Sequence, residues 1–201
     1  MKKITLASCL LIVIALLVSS RWATAVNAPA QDALPIPDTS LAVALSVQDL
    51  VNQSDVIAIG NCVETKTVWV DRSLVTLATV SVSENLKGTE GSTITVALPG
   101  GVDANRKIPV AMSYPGAPQM TPGENVFLFL TATGEVAGSY TVAGFSQGKF
   151  SIITDEDGQQ VVSRDLRQTS LKTNNGVHRG QSSTIPLDRL KDEVRGYLKN
   201  Q

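Results

Sequence analysis

The sequence predicts a small, mainly β fold, an antiparallel barrel or sandwich with a short N-terminal helix and a C-terminal amphipathic helix. Three observations carry this. From Asp55 onward, runs of β-branched and apolar residues alternate with polar ones at a period of two. Short Gly/Asp/Ser clusters separate those runs, as turns between neighbouring strands require. Only the two ends of the segment that begins at Leu45 show the period of a helix.

The elements follow in order. Ser46 is a good N-cap, and Asp49 stands at the reciprocal position of a capping box. A short helix to about Ser54 follows, with Leu50 and Val51 inward. Val56 begins a long strand that can run to Val70, and Asp71-Arg72-Ser73 is a turn. Leu74 to Leu86 alternates, with Val80 and Val82 on one face and Thr79, Ser81 and Ser83 on the other. Residues 87–91 turn the chain into Ser92–Leu98. Three strands joined by short turns predict an antiparallel meander.

Residues 99–123 break the rhythm with five prolines and four glycines. A short edge strand around Ile108–Met112 is compatible with proline. The rest reads as a loop, and loops longer than about 15 residues in compact domains are usually functional or disordered. Val126–Leu130 (VFLFL) is unbroken apolar sequence, the mark of a strand buried on both faces. Ser139–Gly144 is another strand, and Gly148–Thr154 pairs with Gln160–Val162 across an Asp155–Gly158 hairpin turn. Residues 164–184 read as loose and polar. From residue 185 to the C-terminus the chain closes as an amphipathic helix, with Pro186 in the first turn and Leu187, Leu190, Val194 and Leu198 on one face.

The N-terminus predicts export. Lys2 and Lys3 precede an apolar run from Cys9 to Val18, and Ala23-Thr24-Ala25 supplies small residues for a signal peptidase. Cleavage after Ala25 makes residues 1–25 a signal peptide and 26–44 an Ala/Pro-rich flexible leader. The domain proper then spans 45–163, and the product is secreted or periplasmic, with no later segment of membrane-spanning length. Leu6-Ala7-Ser8-Cys9 matches a lipoprotein box, but its apolar core follows the cysteine instead of preceding it.

Cleavage takes the positive count from 17 to 14 against 18 acids, a net charge near −4. That balance argues against nucleic acid or an anionic membrane as the partner. Cys9 leaves with the signal, so Cys62 stands alone and no internal disulfide can form.

Each candidate for chemistry has a plainer reading. Gly144-Phe145-Ser146-Gln147-Gly148 matches G-x-S-x-G, and Asp165 and His178 follow in the order of an α/β-hydrolase triad. The nucleophile elbow needs a helix after the serine, and here a strand is predicted, so the motif reads as a glycine-flanked turn. His178, the only histidine, has no companion ligands and reads as a solvated loop residue. Asp155-x-Asp157-Gly158 opens like a calcium loop, but Leu166 stands where the closing glutamate belongs. Cys62 sits in an apolar strand with no neighbouring histidine, as a buried inert thiol does. No catalytic, cofactor or metal residue is assigned. The residues placed at a partner-contact surface are Trp69 at its hairpin end and Val110, Met112, Tyr114 and Met120 in the 99–123 loop.

Ser54-Asp55-Val56-Ile57-Ala58-Ile59-Gly60, then Val82-Ser83-Glu84-Asn85-Leu86-Lys87-Gly88, then Pro122–Leu130 resemble the pattern of netrin-like domains, which include the tissue inhibitors of metalloproteinases. The pattern is also similar to that of uncharacterised secreted bacterial proteins. The likeness covers roughly residues 46–154 and implies an OB-like β-barrel. Family members chelate a protease's zinc through an N-terminal cysteine and carry disulfides. This chain has neither feature, so that mechanism does not transfer. The reading is an exported binding module for a protein or envelope ligand, contacting it through the 99–123 loop. The alternatives are an inhibitor or accessory subunit of a secreted protease, a hydrolase using Ser146, and a structural envelope component.

Overall fold

The structure, a computed structural model, describes residues 39–88, 91–132 and 136–200. The predicted signal peptide, its expected cleavage site and most of the predicted leader lie outside them. The elements are β1 (Ser40–Val43), α1 (Val47–Gln53), β2 (Val56–Val70), β3 (Ser73–Lys87), β4 (Thr93–Pro99), β5 (Gly101–Asp103) and β6 (Val110–Met112). They continue with β7 (Asn125–Thr131), β8 (Tyr140–Val142), β9 (Lys149–Thr154), β10 (Gln160–Asp165), β11 (Thr169–Thr173), β12 (Gly176–Arg179), β13 (Ser182–Pro186) and α2 (Leu187–Lys199). The fold is mainly β, as its alternation predicts.

Eight strands form one sheet in the order β13-β10-β9-β7-β2-β3-β4-β8. The meander β2-β3-β4 is antiparallel throughout. Register slips at three points along β2–β3, and such irregularities raise the local twist and bend a strand pair. Gly60 sits at one of them, where a Cβ would lie 2.3 Å from the Ser81 carbonyl oxygen. Only glycine admits that approach. The sheet curls until β8 bonds both β4, in parallel, and β7, antiparallel.

β7 is buried along both faces, as VFLFL predicts. Val126, Leu128 and Leu130 join Ala58, Cys62, Val80 and Val96 inside the curl. Phe127 and Phe129 point the other way, into a core roofed by the two helices. There the rings of Phe127, Phe129 and Phe150 lie 5.3–6.5 Å apart, at spacings where aromatic pairs attract.

Both helices sit where their apolar stripes predict. The Ser46 hydroxyl accepts from the Asp49 amide at 3.1 Å, and the Asp49 carboxylate accepts from the Ser46 amide at 2.9 Å. Lys87 donates to the Val51 carbonyl near the end of α1. α2 buries Leu187, Leu190 and Val194, while Lys191 and Arg195 both reach Glu84 on β3. Pro186 is the N-cap of α2 and not part of its first turn.

Two stretches depart from their reading as loose chain. In the leader, residues 40–43 form β1, parallel to β11 more than 120 positions away. Its composition hides this, because the strand is short, half solvated and paired with nothing nearby. Residues 164–184 are not loose either: they carry the end of β10, all of β11 and β12, and most of β13. Every residue of β12 is exposed, so its polar sequence reflects a solvated strand. The Asn174-Asn175 turn before Gly176 joins β11 to β12.

One side chain ties the early chain down. Gln147 is 1% exposed. Its Oε1 accepts from the Leu45 amide, and its Nε2 donates to the carbonyls of Val43 and Gly144. Its own carbonyl accepts from Arg164, whose guanidinium lies 4.7 Å above the Phe150 ring. Gln147→Ala would strand these backbone partners at a partly buried site. It should lower stability by about 2–4 kcal/mol, measured by urea unfolding. A loss below about 1 kcal/mol would show that β1 holds without this pin.

Candidate functional site

The 99–123 segment is partly ordered as its own two-stranded sheet, with β5 paired to β6. The predicted edge strand is present, but its partner is inside the same segment and not in the main sheet. Beyond β6 the chain returns across the open end of the curl and delivers Met120 into the core, 6% exposed.

This path leaves a cleft of about 310 Å³ at the mouth of the curl. Three of the predicted contact residues, Met112, Tyr114 and Met120, line it together. Opposite them stand Thr65 and Thr67 from β2 and Thr76 from β3. Residues 65, 67 and 69 share one face of β2 by alternation, which is why the threonines and Trp69 follow one another along it. The Thr76 hydroxyl donates to the Gly100 carbonyl at 2.8 Å, and the Thr67 and Thr76 hydroxyls are 3.4 Å apart. Thioether, phenol and hydroxyl groups on facing walls suit a ligand with one apolar side and one hydrogen-bonding side. The chain's methionines after Met1 are Met112 and Met120, and both are here.

Trp69 and Val110 are not in the lining. Trp69 instead holds the hairpin in place: its indole N–H donates to Asp103 at 2.7 Å, and Arg106 caps the ring at 4.5 Å while bonding the same carboxylate at 3.1 Å. Val110 pairs opposite Asp103 in the hairpin. The Leu74 amide lies 3.2 Å from the Met112 sulfur, a second tie between hairpin and sheet. The hairpin also presents Val102 and Ile108, which sequence reasoning missed; Ile108 is 77% exposed.

A second, polar cleft of about 430 Å³ lies on the far side of residues 116–119. Ser146, Lys149, Ser151, Ser163, Asp165 and Gln168 face it. Beside it Lys149 pairs with Glu124, and Ser151 donates to the same carboxylate at 2.7 Å. Burial pushes the Glu124 carboxyl up, but the bonds from Lys149 and Ser151 and the Lys149 charge outweigh it, and the net effect holds it low. Lys149 and Ser151 share one face of β9 by alternation, whereas Glu124 comes from the loop end before β7, a meeting that no sequence spacing marks.

The hydrolase motif is a turn between β8 and β9, and a strand follows Ser146. Gly144 and Phe145 both have positive φ, 63° and 66°, and for a phenylalanine this backbone costs about 1–2 kcal/mol. The Ser146 hydroxyl lies 3.4 Å from that of Thr169, Asp165 is engaged by Arg167, and His178 stands opposite Leu171 in an exposed strand. The three residues are not assembled as a triad. Asp155 accepts from the amides of Asp157 and Gln159, closing the hairpin turn that its sequence predicts. Cys62 is fully buried, and burial reinforced by the Glu124 charge pushes its thiol up. Among the described residues no His, Cys, Asp or Glu side chains group as a metal site would require, and no helix is long and apolar enough to cross a membrane.

No protein-family model matches the chain, and no curated protein matches it.

The Trp69 latch has a pH signature. The bond from Trp69, with those from Asn105 and Arg106, holds the Asp103 carboxyl below its ordinary value of 3.8. A depressed carboxyl keeps the latch intact above the ordinary range and releases it as pH falls through the lowered value. In a chain beginning at Val26, Trp69 is the one tryptophan. Its emission should shift on acidification with a midpoint below 3.8, and Asp103→Asn should remove that step. An identical step in the variant would assign it to another group.

Proposed function

We propose that this protein is an exported, non-catalytic binding module that holds a protein or envelope ligand at the 99–123 loop, in the mouth of an OB-like barrel. The observation that carries this is the cleft itself. The loop contributes Met112, Tyr114 and Met120 to the cleft's lining, and Thr65, Thr67 and Thr76 line it half-buried, with Gly100 and Gly101 packed against the last two. Small β-barrels take ligands in such mouths and through the loops around them. The OB-like reading draws support from β8, which bonds both β4 and β7 across the curl. The kinship with netrin-like domains rests on the three sequence motifs alone. Export rests on the apolar N-terminal run and the small residues before Val26.

The exposed Ile108 favours one narrower version, a secreted-protease inhibitor or accessory subunit that uses the hairpin as a wedge. Neither version uses Ser146 as a nucleophile.

The test is capture from the host's secreted and envelope fractions with the chain from Val26 as bait, read by cross-linking and mass spectrometry. Point variants are the right comparison, because deleting the loop would also remove Met120 from the core. Tyr114→Ala with Ile108→Glu should reduce capture of the partner at least roughly tenfold, as loss of a central contact does. Undiminished capture would move the contact surface elsewhere. A fluorophosphonate probe that labels the wild type and not Ser146→Ala would overturn the non-catalytic reading.

A further inference from the structure

A second surface, remote in sequence from the loop, has a chemistry of its own. β1, β11 and β12 form a separate three-stranded sheet. Its register sets Leu41, Ser170 and Arg179 in one cross-strand row and Val43, Lys172 and Val177 in the next. Residues two apart on a strand share a face, so all six side chains lie on one side. That side is solvated: Leu41 is 67% exposed, Val43 64% and Val177 57%. These are three of the eight large apolar residues exposed on the described surface, gathered on strands of four residues each. A shallow groove of about 320 Å³ runs beside them, between Val43 and Ala44 on one side and Lys172, Thr173 and Asn174 on the other.

The charge here runs against the rest of the chain. Residues 164–184 hold Arg164, Arg167, Lys172 and Arg179 against the single acid Asp165, although the whole sequence carries a net charge of −1. Asp165 is occupied by Arg167. Neither Lys172 nor Arg179 takes part in an ion pair among the described residues.

We infer that this face docks the protein on an anionic lipid surface, with Leu41, Val43 and Val177 entering the headgroup boundary and Lys172 and Arg179 meeting lipid phosphates. The sequence-wide acidity argues against such a surface, but a membrane meets a face and not an average. Fields from exposed charges fade within about 8–10 Å at physiological salt, so the local cations decide. Aliphatic tips flanked by lysine and arginine are the composition of interfacial binding elements. A second copy of this chain fits less well, because a two-fold contact would bring both copies' Lys172 and Arg179 into one interface, and the six residues of this face include no acid to pair with them. The inference is independent of the ligand held at the 99–123 loop.

The experiment is vesicle co-sedimentation of the chain from Val26. One set of vesicles is phosphatidylcholine alone, the other contains phosphatidylglycerol. Binding should require phosphatidylglycerol and weaken with added salt. Lys172→Ala should cost about fivefold, the worth of one cation near an anionic surface. Val43→Ser with Val177→Ser should cost at least roughly tenfold. Val63→Ser, which alters an exposed valine on β2, should cost nothing, and matching thermal melts exclude unfolding as the cause. The inference fails if the wild type ignores phosphatidylglycerol vesicles, or if all variants bind alike. It fails equally if the double variant only disperses a dimer seen by light scattering without lipid.

Discussion

The fold depends on one constraint: the first part of β2 pairs with β7 in the middle of the sheet, and where they pair Val56–Ile59 and Val126–Leu130 are apolar on both faces. A strand with a single apolar face needs one cover. Val56–Ile59 and Val126–Leu130 need two, and the architecture supplies them by different means. On one side α1 and α2 close over Ile57, Ile59, Phe127 and Phe129. On the other the sheet covers itself, by curling β3, β4 and β8 around Val56, Ala58, Val126, Leu128 and Leu130. The register slips and Gly60 are where that curl is made. Cys62 is fully buried in that second layer, packed as a small apolar residue would be.

How much of this could be read in the sequence follows from the range of the interactions. The capping box, the hairpin turns, the VFLFL strand and the stripe of α2 are local signals, and all four were legible. β1 was not, because its partner lies more than 120 positions away and parallel pairing leaves no turn between the two strands. β11 and β12 were missed for a different reason. Their outward faces are solvated, so their residues are polar, and composition there records the environment and not the backbone. The Asn-Asn-Gly turn was the one available clue. Of the five residues that the sequence places at a contact surface, Met112, Tyr114 and Met120 line one cleft and Trp69 and Val110 do not, and the threonines beside them depend on how β2 and β3 meet the returning loop. Trp69 was correctly placed at the hairpin end, but its bond to Asp103 joins two turns that no pattern links.

The Gly144–Gly148 segment shows how a motif can be right about conformation and misleading about chemistry. G-x-S-x-G marks a tight, strained turn, and the positive φ of Gly144 and Phe145 is the strain. In a hydrolase that geometry lifts the serine above a helix. Here it turns Gln147 inward, where one amide serves Leu45, Val43 and Gly144 at once. The residue the motif points to is therefore next to the one that matters for the fold. Since β1 is fixed partly through this glutamine, the turn and the three-stranded sheet are parts of a single arrangement.

The two surfaces proposed for binding draw on stretches that the core constrains little: residues 99–123 for one, and residues 164–184 with β1 for the other. Residues 99–123 supply Met120 to the interior, and residues 164–184 supply Leu166 and Thr169. Much of the rest is solvated. A segment that core packing does not specify would drift toward polar residues if solubility were its one requirement. Yet Val102, Ile108 and Tyr114 are exposed in the first stretch, and Val177 in the second, facing Leu41 and Val43 across β11. Each group is also fixed in place, one by the Trp69–Asp103–Arg106 contacts and the other by a ladder anchored through Gln147. Rigid backbone beneath exposed apolar side chains lowers the entropy lost when a partner binds. That pairing of exposed apolar side chains with backbone tied by these contacts is the physical reason to look for function at these two places before the polar cleft behind Ser146.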